Sequence, residues 1–285
     1  MTETSTVEPD SPATRQQTPE KVTYERSGPI AYLRLNRPDK LNAIDYDCLD
    51  LLERHIATAA EDDSVAAVII SGNGRCFCAG ADLQVVAAAI EAGRGEFDAF
   101  LRRWHEVFAA IESSAKPTIA AIHGVAMAGG FELAQVCDFV VISDNAVLAD
   151  QHANFGLFPG GGSTQRLPRL IARRQATWML YTGEPIAPSD ALACGLVNRV
   201  VSAQRVLPVA AEMAHKLAQR SPRATAAIKA AVRRGAALEL ADALVLERSI
   251  AVEHMTSRDA AIGLAAFRTR TRPDFGAPPE PGAQS

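Results

Sequence analysis

The chain has 285 residues, room for one large domain or two small ones, and its 48% hydrophobic content is ample for a buried core. Lys and Arg number 29 against 33 Asp and Glu, and the net charge of −4 argues against a nucleic-acid partner, which needs a concentrated basic face. No apolar run approaches the roughly 18–20 residues that cross a bilayer, so no membrane partner is expected.

Residues 1–20 are rich in Thr, Ser, Pro, Glu and Gln without an apolar segment, and are expected to form a disordered tail and not a signal peptide. Five cysteines, an odd number with no export signal, fit reduced thiols in the cytoplasm. Residues 30–35 mix apolar and polar side chains at near alternation and run into Asn36-Arg37-Pro38, which predicts a strand followed by a turn. Over 45–60, Leu49, Leu52, Ile56 and Ala59 repeat at helical spacing. Residues 65–70 form a short apolar strand stopped by Ser71-Gly72-Asn73-Gly74. Cys76 and Cys78 have no second Cys/His pair at zinc-ligand spacing, so no metal site is expected. Phe97, Phe100, Leu101, Trp104, Phe108 and Ile111 form an apolar stripe on a second helix, which Pro117 closes. Residues 119–122, 139–142 and 147–149 are further strands, with a short helix over 131–136 between the first two. Strands alternating with helices predict an α/β fold with parallel pairing.

After residue 201 the pattern turns helical, over 206–217, 223–234, 238–255 and 258–267. Ser221-Pro222 supplies an N-cap and first-turn proline, and Gly235 a stop. The division expected is a tail over 1–20, a core over 21–201, a helical region over 202–275 and a flexible tail over 276–285.

Two glycine-bearing turns carry most of the functional information: Cys78-Ala79-Gly80-Ala81-Asp82 and Ala128-Gly129-Gly130-Phe131-Glu132. Each follows a compact apolar run, and the second opens into a helix. Glycine bends sharply and lets a ligand approach the backbone, and a helix N-terminus offers free N–H groups and a partial positive charge. Two such turns aimed at one point would make an oxyanion hole.

Together with Asn36-Arg37-Pro38-Asp39-Lys40-Leu41-Asn42-Ala43, His123-Gly124, Phe155-Gly156-Leu157, Pro159-Gly160-Gly161-Gly162-Ser163 and Ala193-Cys194-Gly195-Leu196-Val197, these turns resemble the enoyl-CoA hydratase/isomerase (crotonase) superfamily over about residues 22–275. The resemblance implies a spiral of repeated ββα units with a C-terminal helical oligomerisation region that packs the chain into a homotrimer or a hexamer. It implies an acyl-CoA thioester substrate and no cofactor, since coenzyme A enters as part of the substrate. The expected reaction is hydration of a 2-enoyl-CoA through a thioester enolate. The alternatives are double-bond isomerisation, carbon–carbon hydrolysis on the same scaffold, or a non-catalytic acyl-CoA-binding homologue.

By the same resemblance, the N–H groups of Ala81 and Gly129 form the oxyanion hole and Glu132 is the first catalytic carboxylate. Lys40, Leu41 and Ala43 lie where the family grips adenine and pantetheine. Ala79, Gly80, Asp82, Leu83, Gly130, Pro159 and Gly160 complete the substrate-binding set. Arg268, Arg270 and Arg272 form a basic stripe able to meet a phosphate. Residues 84–96 match no family block. The departure is at position 152. The second glutamate of common hydratases stands twenty residues after the first, which here is His152. Histidine titrates near neutrality and can serve as acid or base, so His152 is the second candidate catalytic residue. Asp150, placed on a strand, would share its face and orient the imidazole. His123 is expected to be structural, and His55, His105, His215 and His254 to be surface or packing residues.

Overall fold

The computed structural model describes residues 20–275, so the tail expected over 1–20, save its last residue, and the tail expected over 276–285 lie outside the described residues. The chain begins with an antiparallel hairpin, β1 (Val22–Ser27) and β2 (Ile30–Leu35), paired from Val22↔Leu35 to Ser27↔Ile30. Helix α1 (Tyr46–Glu61) starts at Asp45, whose side chain accepts the Cys48 N–H. It buries Leu49, Leu52, Ile56 and Ala59, the positions its apolar spacing marks. Strand β3 (Ala67–Gly72) pairs in parallel with β2, Ile30↔Ala67 through Leu35↔Gly72. The ladder therefore displaces the expected strand by two residues, and Val65 instead donates to Asp62 O in the preceding turn.

Next come α2 (Leu83–Glu91), α3 (Arg94–Ser113), β4 (Thr118–Ile122), β5 (Val125–Met127), α4 (Gly129–Gln135), β6 (Phe139–Ser143) and β7 (Val147–Ala149). They are followed by α5 (Ser163–Leu170), α6 (Arg173–Thr182), α7 (Pro188–Ala193), β8 (Arg199–Val201), α8 (Val206–Ala218), α9 (Pro222–Gly235), α10 (Leu240–Met255) and α11 (Arg258–Thr269). The four C-terminal helices follow the expected pattern closely. Ser221 caps α9 by accepting the Ala224 N–H. Gly235 is the last helical residue and not the left-handed stop expected of it, because the chain leaves through Ala236 in ordinary helical geometry.

Six strands form one sheet in the order β1-β2-β3-β4-β6-β8, parallel beyond the first hairpin. A second, shorter row lies beside it: β5 pairs in parallel with β7, Cys78 bridges to Ala126, and Leu148 bridges to Ile186. Each circuit thus lays one strand in the long sheet and a short extended segment in the second row before a helix returns the chain. This is the ββα spiral the resemblance implies. The core between sheet and helices holds Leu33, Leu35, Leu49, Leu52, Ile70, Phe77, Phe108 and Phe131. A separate layer packs Val206, Ala210 and Ala214 of α8 on the opposite face, against Ile69, Ile119 and Val141. The alternate residues of β3 and β4 face different layers, and both faces are buried, which is why these strands read as unbroken apolar runs.

Candidate active site

The loop from Cys76 to Asp82 is stitched on both sides. Cys78 N–H donates to Val125 O and Met127 N–H to Cys78 O, while Ile44 N–H donates to Gly80 O and Asp82 N–H to Ile44 O. Ile44 therefore takes the polar groups flanking Ala81, and the Ala81 N–H faces the other way, where it has no acceptor among the described residues. On that side lies the start of α4. A methyl added at Gly129 would sit 3.2 Å from Ala81 N, and one added at Gly80 would sit 3.2 Å from Gly129 N. Gly129 is the first residue of its helix, so its N–H is an orphan donor too. Two free donors of different turns thus border one small space, which suits an oxygen carrying negative charge.

The turn that aims Gly129 is strained. Ala128 has φ 46° and ψ −123°, a conformation that favours glycine and costs of order 1–3 kcal/mol elsewhere. It is pinned by its N–H to Ala149 O at 3.0 Å and by the Glu132 N–H to its own carbonyl at 2.9 Å. Trp104 of α3 walls the same space: its outer ring atoms Cη2 and Cζ3 would lie 2.6 and 2.9 Å from a methyl on Gly129. The indole is 2% exposed, stands edge-on to Phe100 and Phe108, and its Nε1 has no partner among the described residues. Gly130 is closed to any side chain, because a methyl there would strike the Cys78 backbone carbonyl.

Glu132, in the first turn of α4, is 2% exposed, and its Oε1 accepts the Ser163 N–H at 3.0 Å. Burial raises its pKa; the Ser163 bond and the charges of His152 and Arg166 oppose that, while Asp150 adds to it. Gly161 lies so close to the carboxylate that a methyl would overlap it. Helix α3 holds the loop carrying Gly161 in place. The ring of His105 bonds Gly160 O at 2.7 Å, Leu101 fills the space over Gly160, and Arg166 bridges Gly161 O and Glu112.

His152 opens a short 3₁₀ turn (His152–Phe155) after Gln151 in the left-handed region, φ 49°. Its Nδ1 lies 2.7 Å from Asp150 Oδ1. Asp150 is therefore beside the ring, as expected, but by a turn and not along a strand, since β7 ends at Ala149. Burial works against the charged ring, yet the Asp150 hydrogen bond and charge, helped by Glu132, leave the pKa raised. The site holds one buried acid biased towards its neutral form and one imidazole biased towards its charged form, a pairing suited to moving two protons.

The remaining predicted positions divide by what the structure does with them. Lys40 is exposed, and Leu41 and Asn42 both take left-handed geometry, φ 51° and 56°. Ala79 donates to Leu41 O, which ties the expected coenzyme loop to the oxyanion loop. The Asp82 side chain is engaged internally, accepting from Arg37 at 2.9 Å and capping α2 through Gln84 N–H. Leu83 is exposed and Pro159 buried. Cys76 and Cys78 donate to the carbonyls of Leu41 and Asn42. Burial pushes the Cys78 thiol up to about 12. Among the described residues, no three His, Cys, Asp or Glu side chains gather as a metal site, and no helix is long and apolar enough to cross a membrane. His123 bonds Gly74 O and His55 bonds Val22 O, both as structural histidines. Sequence reasoning missed Arg37, whose guanidinium joins Ala43 O, Asp45 and Asp82. It also missed the loop-anchoring roles of His105 and Arg166. Their signal was only a basic residue near glycine-rich segments.

A spiral of parallel strands with two converging N–H donors and a buried glutamate defines the crotonase fold. The family model described as enoyl-CoA hydratase/isomerase matches residues 25–278, and the chain belongs to that family. It is 33% identical over 257 residues to a crotonyl-CoA hydratase of Syntrophomonas wolfei, covering 90% of this chain and 98% of the relative. It is 35% identical over 256 residues to the 2,3-dehydroadipyl-CoA hydratase of Escherichia coli, with the same coverage. A crystal structure of an enoyl-CoA hydratase from a Polaromonas species matches with TM-score 0.85 at 32% identity, over 89% of this chain and 98% of that one.

Proposed function

We propose that this protein adds water across the double bond of a 2-enoyl-CoA to give a 3-hydroxyacyl-CoA. The observation that carries the reading is the paired Glu132 and His152 beside the two free N–H groups of Ala81 and Gly129. The thioester oxygen takes those two donors. The Glu132 carboxylate accepts a proton from water as its oxygen bonds to the β-carbon, and the π electrons move to the thioester oxygen as an enolate. The enolate collapses by taking a proton at the α-carbon from the His152 imidazolium. Glu132 is then neutral acid and His152 neutral base, and one proton passing from the first to the second restores the site. Each side chain works from the opposite form to its partner.

Both proton positions are filled by side chains, so the reading calls for no cofactor beyond the coenzyme A of the substrate. Lys40, Leu41 and Ala43 are assigned to its adenine and pantetheine end. The assembly is assigned as a homotrimer or a dimer of such trimers. Supporting this, α10 and α11 carry exposed Leu240, Leu244, Val245, Val252, Met255 and Phe267, apolar surface that a lone chain rarely leaves to water. Reduced cysteines support a cytoplasmic setting. The test is loss of enoyl-thioester absorbance with crotonyl-CoA and appearance of 3-hydroxybutyryl-CoA. Binding of crotonyl-CoA without conversion would favour a binding homologue, and conversion to a shifted double bond would favour an isomerase.

A further inference from the structure

We propose that Asp150 is a positioning residue for this reaction: its buried carboxylate holds the Nδ1 edge of His152, so that Nε2 is the nitrogen that gives and takes the substrate's proton. The inference rests on the hydration reading above. β5 and β7 run in parallel register, Val125↔Val147 to Met127↔Ala149, so the chain leaves both at the same end. One exit leads through Ala128 into Gly129 and Glu132, the other into Asp150 and His152, and the Ala128 N–H to Ala149 O bond clamps the two exits together.

Asp150 is 0% exposed, and among the described residues its side chain bonds only to His152; Oδ2 has no partner. A carboxylate removed from water with one lone hydrogen bond is costly unless a positive charge sits beside it. The imidazolium is that charge. An ionised carboxylate accepts and cannot donate, so Nδ1 must carry a hydrogen whether the ring is charged or neutral. The proton that comes and goes is therefore on Nε2. The His152 ring keeps 15% of its surface exposed while Asp150 keeps none, so the ring is the member of the pair a substrate can reach. The charges bearing on it are Asp150 on its own turn and Glu132 on α4, with Arg166 of α5 acting on Glu132. Helix α6, packed on this turn, carries the ionisable side chains Arg173, Arg174 and Tyr181, all three exposed to solvent. The raised pKa of His152 agrees with the geometry.

Asp150→Asn tests this, because the amide oxygen can still accept from Nδ1–H but brings no charge. In wild type the alkaline limb of kcat/KM for crotonyl-CoA should lie above the ordinary histidine value of 6.5. In the variant it should move down, with turnover at pH 8 falling by about 10–10³-fold and KM little changed. A purely structural role would lower thermal stability without moving that limb. An unmoved limb in the folded variant overturns the proposal. Should the variant fail to fold, ¹⁵N NMR of His152 in the wild-type protein decides. Nδ1 protonated on both sides of the titration supports the proposal, and a neutral ring protonated at Nε2 refutes it. Full activity in His152→Ala would instead defeat the hydration reading itself, and loss there with an unmoved limb in Asp150→Asn defeats only this inference.

Discussion

Gly129→Ala puts a methyl group at the point where the oxyanion hole and the aromatic wall meet. The new methyl would lie 2.6 and 2.9 Å from two ring atoms of Trp104, closer than carbon atoms tolerate. The indole has little room to retreat, because Phe100 and Phe108 hold it edge-on at 6.0 and 5.3 Å. Overpacking of this kind costs about 1–3 kcal/mol. The same methyl would lie 3.2 Å from Ala81 N. An oxyanion must come within roughly 2.7–3.1 Å of that nitrogen, so methyl and oxygen compete for one place. Losing one donor alone lowers turnover by about 10²–10³-fold, and this substitution blocks access to both. Calorimetric melting and crotonyl-CoA hydration, measured side by side, separate the two effects. Gly129→Ala/Trp104→Phe removes the outer ring atoms that clash, so it should recover melting temperature and not turnover. A folded Gly129→Ala protein with wild-type kcat/KM would refute the assignment of this space to the thioester oxygen.

Glu132→Gln should cut turnover by about 10²–10⁴-fold with little change in crotonyl-CoA affinity, measured by calorimetric titration. It should also raise the melting temperature at pH 8. A carboxyl whose folded pKa is raised loses stability as pH rises from its unfolded to its folded pKa, and the amide does not. The pH profile of wild-type turnover should be a bell, with an acid limb above the ordinary glutamate value of 4.5 from Glu132 and an alkaline limb above 6.5 from His152. His152→Glu, which installs the carboxylate common in the family, should melt lower and stay weakly active, because Asp150 loses its imidazole partner and faces a second anion; breaking a buried pair costs about 3–5 kcal/mol. Ala128→Gly, which would cost about 0.5–1 kcal/mol in an ordinary position, should be neutral or stabilising at φ 46°, as judged by denaturant midpoint.

Much of the fold was legible because long amphipathic helices announce themselves. Residues 45–60 and the four helices after 201 fall within a residue or two of their observed bounds. The short pieces were not legible. Strand β5 is three residues long and follows a glycine, and β1 is half exposed and paired on one side only, so neither has a period to detect. Helix α2 over Leu83–Glu91 carries Asp82 as cap, but only Ala89 is buried, and an all-apolar face with few anchors reads ambiguously. At the site, Ala81, Gly129 and Glu132 could be placed from glycine spacing and family resemblance. The partnership of His152 with Asp150 could be guessed, but its geometry depends on Gln151 turning left-handed, which nothing in a Gln residue forecasts. Arg37, His105 and Arg166 act across 45 to 55 residues of sequence, and contacts that distant leave no local trace.

The proposed reaction is hydration of an enoyl thioester by Glu132 and His152 together, through an enolate. The most direct measurement is conversion of crotonyl-CoA in D₂O by the wild-type protein and by Glu132→Gln and His152→Ala, followed by mass spectrometry and NMR of the product. The expected result is 3-hydroxybutyryl-CoA with one solvent deuterium at the α-carbon from wild type, and strongly reduced formation in both variants. Wild-type product without α-deuterium, or undiminished hydration by either variant, would contradict it.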